Sequence, residues 1–179
     1  MRDLADRDLI QRIVKHDDRR AFSILLNRHQ QDVRNTLRGL CNGEWALADD
    51  IAQDVFLKVY RYLPGFKGKS SFRTWLYRIT LNSFLTTRRL KASLFFSSEK
   101  ELAAAQAPAA NNPDAQRDIQ RAMQQLSDGQ RLMVDLNLVR GFSHQEIVAI
   151  TGVPLGTVKS HIQRGREKLQ NALQEWEER

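Results

Sequence analysis

Apolar residues recur at helical spacing in almost every periodic segment of this chain, and no sustained period-two alternation between turn signals argues for a sheet. The fold class specified is all-α. Leu9, Ile10, Ile13 and Val14 make a first apolar stripe, and Phe22, Leu26, His29, Val33, Leu37 and Leu40 make a longer one before Gly43. A third, Leu47, Ile51, Val55, Val59 and Tyr62, stops at Pro64-Gly65, because proline there cannot continue a helix. A fourth helix follows, with Ser70 or Ser71 available to cap its amino end. Phe72, Leu76, Ile79 and Ser83 share one of its faces, while Trp75, Arg78, Asn82 and Thr86 occupy neighbouring ones.

The pattern then breaks. Residues 97–115 contain Ala103-Ala104-Ala105, Ala107-Pro108-Ala109-Ala110 and Asn111-Asn112-Pro113, with few large apolar groups to anchor them. We read a flexible linker, residues 97–115, joining two small helical domains, residues 1–96 and 116–179. Beyond it Ile119, Met123 and Leu126 form a short stripe, and Ser127 with Gln130 fits a capping box opening a helix that should end at Gly141. Ser143 and Glu146 repeat the box, with Phe142 placed to staple onto Ile147.

That second box opens the sharpest local signal, the run from Phe142 to Ile162, which reads as a helix-turn-helix. The first helix ends at Gly152, a residue able to take the left-handed turn conformation, and Pro154 opens the next, where its missing amide is harmless. Val158, Ile162, Leu169 and Leu173 would face inward, with Gly165 permitting close approach. Thr157, Lys159, Ser160, His161, Arg164 and Lys168 are left for a DNA major groove or its phosphate edges.

Charge separates the first domain into two stretches. Between Glu44 and Asp54 lie Glu44, Asp49, Asp50 and Asp54 without a Lys or Arg. From Val55 to Ser98 there is no Asp or Glu, yet Lys58, Arg61, Lys67, Lys69, Arg73, Arg78, Arg88, Arg89 and Lys91 occur among Phe66, Phe72, Trp75, Tyr77 and Phe84. Cations hold a phosphate backbone and aromatic faces stack on unpaired bases, a mixture suited to single-stranded or melting DNA. Phe72 and Phe84 read rather as core fillers. Carboxylates gain nothing by meeting phosphate, so the acidic turn should face a protein. There Asp50, Gln53, Asp54 and Leu57, at i, i+3, i+4 and i+7, form a polar stripe with an apolar end.

Other classes are disfavoured. The net charge of +7 suits a polyanionic partner. The longest apolar runs fall far below the roughly 20 residues needed to cross a bilayer, and the start of the chain lacks a secretory pattern, so a cytoplasmic protein is expected. Cys41 stands alone and reads as a small buried hydrophobe. His29, His144 and His161 have no neighbours at ligand spacing, and no phosphate loop or nucleophile elbow occurs. We expect no catalytic site, no metal, no cofactor and no enzymatic activity. An ordinary transcription regulator would use the helix-turn-helix but leave the acidic helix unexplained.

Taken together, these motifs resemble the extracytoplasmic-function group of bacterial RNA polymerase sigma factors. Asp49-Asp50-Ile51-Ala52-Gln53-Asp54-Val55-Phe56-Leu57-Lys58-Val59-Tyr60 is similar to the helix through which that family grips the β′ clamp helices. The resemblance implies core polymerase contacts by Asp49, Asp50, Gln53, Asp54 and Leu57. The segment Phe66 to Asn82 resembles the family's element for melting and reading the minus 10 promoter sequence, which implies DNA contacts by Lys69, Arg73, Trp75, Tyr77, Arg78 and Asn82, with Arg88 and Arg89 following. Val153 to Ser160 looks like the family's reader of the minus 35 element, which acts beside the polymerase β flap. Val148 departs from a commonly small residue, and His161 from a common Arg whose bidentate fork it lacks. The likeness implies promoter-specific transcription initiation and control by an anti-sigma factor.

Overall fold

The computed structural model describes residues 4–41, 44–95, 122–123 and 125–177, all helices, turns and connecting segments with no strand among them. The chain divides into two compact units, Met1–Gln106 and Ala107–Arg179. The first contains α1 (Asp6–His16), α2 (Arg19–Leu40), α3 (Trp45–Tyr62), a 3-10 turn (Leu63–Gly65) and α4 (Phe72–Phe95). The second contains α5 (Asp128–Val134), a π-turn (Asp135–Val139), α6 (His144–Thr151) and α7 (Leu155–Glu177). The expected linker, residues 97–115, lies outside the described residues.

A tight polar turn joins α1 to α2. Asp17 takes the left-handed conformation at φ 48°, and Asp18 caps α2 by accepting the Ala21 amide at 3.0 Å while pairing with Arg12 at 3.0 Å. At the other end of α1, Asp6 accepts from Arg28 and meets His29 Nε2 at 2.8 Å, which gives the buried His29 a structural partner. Leu9, Ile10 and Ile13 are buried, but Val14, expected in the same stripe, is exposed.

Because α2 packs against α1, α3 and α4, it buries a broader face than its stripe suggested. Ala21, Leu25, His29, Val33, Thr36 and Leu37 are enclosed, whereas Phe22, Leu26 and Leu40 are half-buried. On α3 the fully enclosed Ala48 and Ala52 allow close helix approach beside Ile51, Val55 and Val59. The helix ends at Tyr62, just before Pro64, as expected. There Leu63 takes the buried place and Tyr62, assigned to the stripe, turns outward. Ser71, not Ser70, caps α4, its Oγ accepting the Thr74 amide at 3.1 Å.

In the second unit both capping boxes are formed, at Ser127/Gln130 and Ser143/Glu146. The helix expected to reach Gly141 loosens after Val134 into the π-turn. It closes with Arg140 N donating to Asp135 O at 2.9 Å and Gly141, at φ 71°, donating to Asn137 O at 3.2 Å. Burial raises the Asp135 carboxyl above its ordinary range against the pull of Arg140, 3.3 Å away. Phe142 and Ile147 are both buried where the staple would place them. Gly152 supplies the left-handed turn at φ 73°. Pro154 lies one position earlier than expected, just before α7, its carbonyl accepting the Val158 amide at 3.0 Å. Val158, Ile162 and Gly165 face inward and Leu169 is half-buried, while the Leu173 side chain lies outside the described residues.

Candidate functional site

The outward side of α3 carries the expected acidic stripe. Asp50 and Gln53 are exposed, the Asp54 side chain is half-exposed, and Leu57 is 71% exposed, a large apolar group left in solvent one turn past the carboxylates. Asp49 does not join them as a free carboxylate. It is tied to Arg34 at 3.3 Å and Arg38 at 3.7 Å on α2, and Arg38 also covers the Trp45 ring at 4.6 Å. These two arginines, absent from the expected site, make Asp49 part of the α2–α3 packing.

On α4 a second face presents itself. Arg78, Asn82 and Thr86, at helical spacing, are exposed together with Leu85, which sequence reasoning left out, and with Arg88, whose guanidinium lies 5.9 Å from the Phe84 ring centre. Lys69 is exposed in the loop before the helix. Trp75 is half-buried, packed 5.2 Å from Phe66 and 5.8 Å from Phe72 between ring centres, so it fixes that loop while keeping part of its surface outside. Tyr77, expected among the DNA-facing residues, is core: it is 2% exposed, its hydroxyl accepts from Thr36 at 3.4 Å, and Arg73 sits 5.6 Å over its ring. The Arg89 side chain lies outside the described residues.

Between the two faces stands Lys58. Its ammonium is 2.6 Å from Asp54 Oδ2 and donates to Ser83 Oγ of α4 at 2.9 Å.

In the helix-turn-helix, Thr157, Lys159 and Arg164 are exposed on α7, with Ser160 half-buried beside them and Gln163, not singled out from sequence, also exposed. Two expected groove residues turn elsewhere. The His161 ring lies against Gly129 of α5, so close that a Cβ there would stand 3.0 Å from His161 Cε1, and its Nδ1 is buried without a hydrogen-bond partner. Lys168 donates from Nζ to the carbonyl of Gln125 at 3.1 Å, closing the turn before α5. Among the described residues no group of three or more His, Cys, Asp or Glu side chains gathers to hold a metal ion, and no helix is long and apolar enough to cross a membrane.

The comparisons with known proteins fall on these same elements. The family model of sigma-70 region 2 matches residues 25–93 and that of sigma-70 region 4 matches residues 116–169. The chain is 33% identical to the ECF RNA polymerase sigma-E factor of Escherichia coli, covering 96% of this chain and 95% of that one. The chain belongs to the extracytoplasmic-function RNA polymerase sigma factors. It is also 31% identical to the RNA polymerase sigma-H factor of Pseudomonas aeruginosa, over 94% of each. Two solved structures share its fold: the sigma factor RpoE of Bartonella quintana in complex with the anti-sigma factor NepR, at TM-score 0.74, 27% identity and coverage of 86% and 96%, and CnrH in complex with the cytosolic domain of CnrY, at 0.66, 26%, and 94% and 97%.

This sigma factor is thus a transcription-initiation factor that directs RNA polymerase to promoters. Its region 2 match spans α3 and α4, the helices with the two outward faces, and its region 4 match spans the helix-turn-helix.

Proposed function

We propose that the two faces of the first unit divide the work of initiation. The acidic side of α3, Asp50, Gln53, Asp54 and Leu57, docks on the β′ clamp helices of core polymerase. The adjoining side of α4, with Lys69, Trp75, Arg78, Asn82 and Arg88, takes the separated minus 10 strand. The exposed residues of α7, Thr157, Lys159, Ser160 and Arg164, read the minus 35 duplex beside the β flap. Residues 1–96 and 116–179 act as separate modules, and residues 97–115 tether them so that either contact raises the effective concentration of the other.

The observation that carries this reading is the juxtaposition on neighbouring helices of a carboxylate stripe ending in an exposed leucine and a face of arginine and amide drawn from a stretch with no acidic residue. Carboxylates would repel DNA, and the α4 face would suit it. An anti-sigma protein of the kind bound to RpoE would control this chain by covering those faces. The factor works in the cytoplasm, where polymerase and chromosome are, and performs no covalent chemistry. Run-off transcription with core polymerase on a genomic fragment library tests the proposal. Initiation at defined sites that depends on the added chain is expected, and its absence would overturn the reading.

A further inference from the structure

Lys58 occupies the seam between the docking helix and the strand-binding helix. An ammonium has three N–H donors, and here two contacts engage it: Asp54 at 2.6 Å on its own helix and Ser83 at 2.9 Å on α4. Ser83 is buried and adjoins the exposed Asn82, whereas the Lys58 side chain is 35% exposed. No acidic residue occurs from Val55 to Ser98, so the carboxylate on Lys58 is supplied by the residue just before that stretch. It is the same carboxylate that the docking face presents.

We infer that Lys58 is a masked strand-binding cation: Asp54 holds its ammonium in the free chain, and polymerase, by engaging Asp54, releases it to a phosphate of the separated strand beside Asn82. This rests on the docking role proposed above for Asp54. The exchange is cheap, because a part-exposed i, i+4 ion pair is worth only about a factor of two in an equilibrium. A cation meeting Asp54 in an interface that excludes water would attract it more strongly than Lys58 does in solvent. Ser83 keeps the released ammonium against α4. By linkage, strand capture must strengthen polymerase docking by the same factor that docking strengthens strand capture.

The test uses the full chain and a short fluorescein-labelled oligothymidylate, which reports phosphate contact without requiring the promoter sequence. Asp54→Asn should raise the affinity of the free chain about two- to three-fold and steepen its log–log salt dependence by about one unit. The gain should vanish in Asp54→Asn/Lys58→Gln, where glutamine keeps an amide donor for Ser83, and in a second neutral variant, Asp54→Asn/Lys58→Met. Circular dichroism establishes that each is folded. No gain from Asp54→Asn, or a gain that persists without Lys58, would overturn the mask. Core polymerase affinity measured on the same variants separates the two ideas: Asp54→Asn binding core as well as wild type refutes the docking role, while the oligonucleotide titration bears on the mask alone.

Discussion

Gly165 of α7 lies so close to Val134 of α5 that a Cβ at position 165 would stand 2.5 Å from Val134 Cγ2. Val134 is 2% exposed and β-branched on a helix, so its methyls have little freedom to move aside. Gly165→Ala gains about 1 kcal/mol in helix propensity, but overpacking a filled core costs roughly 1 to 3 kcal/mol. Thermal unfolding should show a net loss of up to about 2 kcal/mol, and Val134→Ala/Gly165→Ala should restore the alanine's fit at the cost of valine packing. A more stable single variant would show that the two helices can separate freely.

Asp49 and Asp54 belong to one acidic run yet should respond differently. Asp54→Arg places a cation on the docking face, and co-purification with core polymerase should weaken by at least about ten-fold, since like-charge juxtaposition costs several kcal/mol. Asp49→Asn loosens the contacts with Arg34 and Arg38, a part-exposed set worth less than about 1 kcal/mol. It should shift the unfolding midpoint slightly and leave core affinity unchanged. Equal loss of core binding in both would return Asp49 to the docking face.

Asn82 and Trp75 offer a parallel contrast on α4. Asn82 is exposed, so Asn82→Ala should leave thermal stability within about 0.5 kcal/mol while reducing permanganate-reactive open complexes. Trp75 packs on Phe66 and Phe72, so Trp75→Ala should lower both stability and open-complex formation. Normal melting of promoter DNA by Asn82→Ala would remove that residue from the strand-binding face.

What the sequence made legible is what local chemistry decides. Capping boxes span three residues, a left-handed glycine acts within its own turn, and an acidic stripe at i, i+3, i+4 and i+7 is a property of one helix. All of these formed. Tyr77, Asp49 and Lys168 look suited to functional faces in the sequence because their true partners lie far away in the chain. Thr36 is 41 positions before Tyr77, Arg34 is 15 before Asp49, and Gln125 is 43 before Lys168. A charge or a phenol looks available until tertiary packing brings its partner. The π-turn after Val134 had no such local signal beyond Gly141.

Acid should act on the two units with opposite sign through Asp18 and Asp135. The Ala21 amide, with Arg12 alongside, holds Asp18 below the ordinary carboxylate value of about 3.9. Its contribution is therefore present above the unfolded-state value and lost as pH falls through the folded one. Burial holds Asp135 above that value, so the native state keeps a proton the unfolded chain has released, and stability of the second unit falls as pH rises through the interval above about 3.9. Hydrogen exchange resolved by segment should show Asp18→Asn flattening the acid loss around α1 and α2. Asp135→Asn should flatten the opposite trend around α5 and the π-turn. Identical trends in both units would contradict these assignments.

Arg164 and His161 lie three positions apart on α7 but should differ in a binding assay. Arg164 is exposed one turn after Ser160, and Arg164→Ala should weaken minus 35 duplex binding by roughly 1 to 3 kcal/mol, with relaxed discrimination at the base pair it contacts. His161 is turned onto Gly129 with its Nδ1 enclosed and unpaired, so His161→Ala removes packing rather than a base contact. It should change duplex affinity by no more than about 0.5 kcal/mol while altering the unfolding midpoint of the second unit. Lys159→Ala supplies the internal standard, since losing a phosphate contact weakens binding to all sequences alike and lowers the salt slope by about one. If His161→Ala instead relaxes sequence preference as Arg164→Ala does, the imidazole must leave Gly129 when the helix enters the groove.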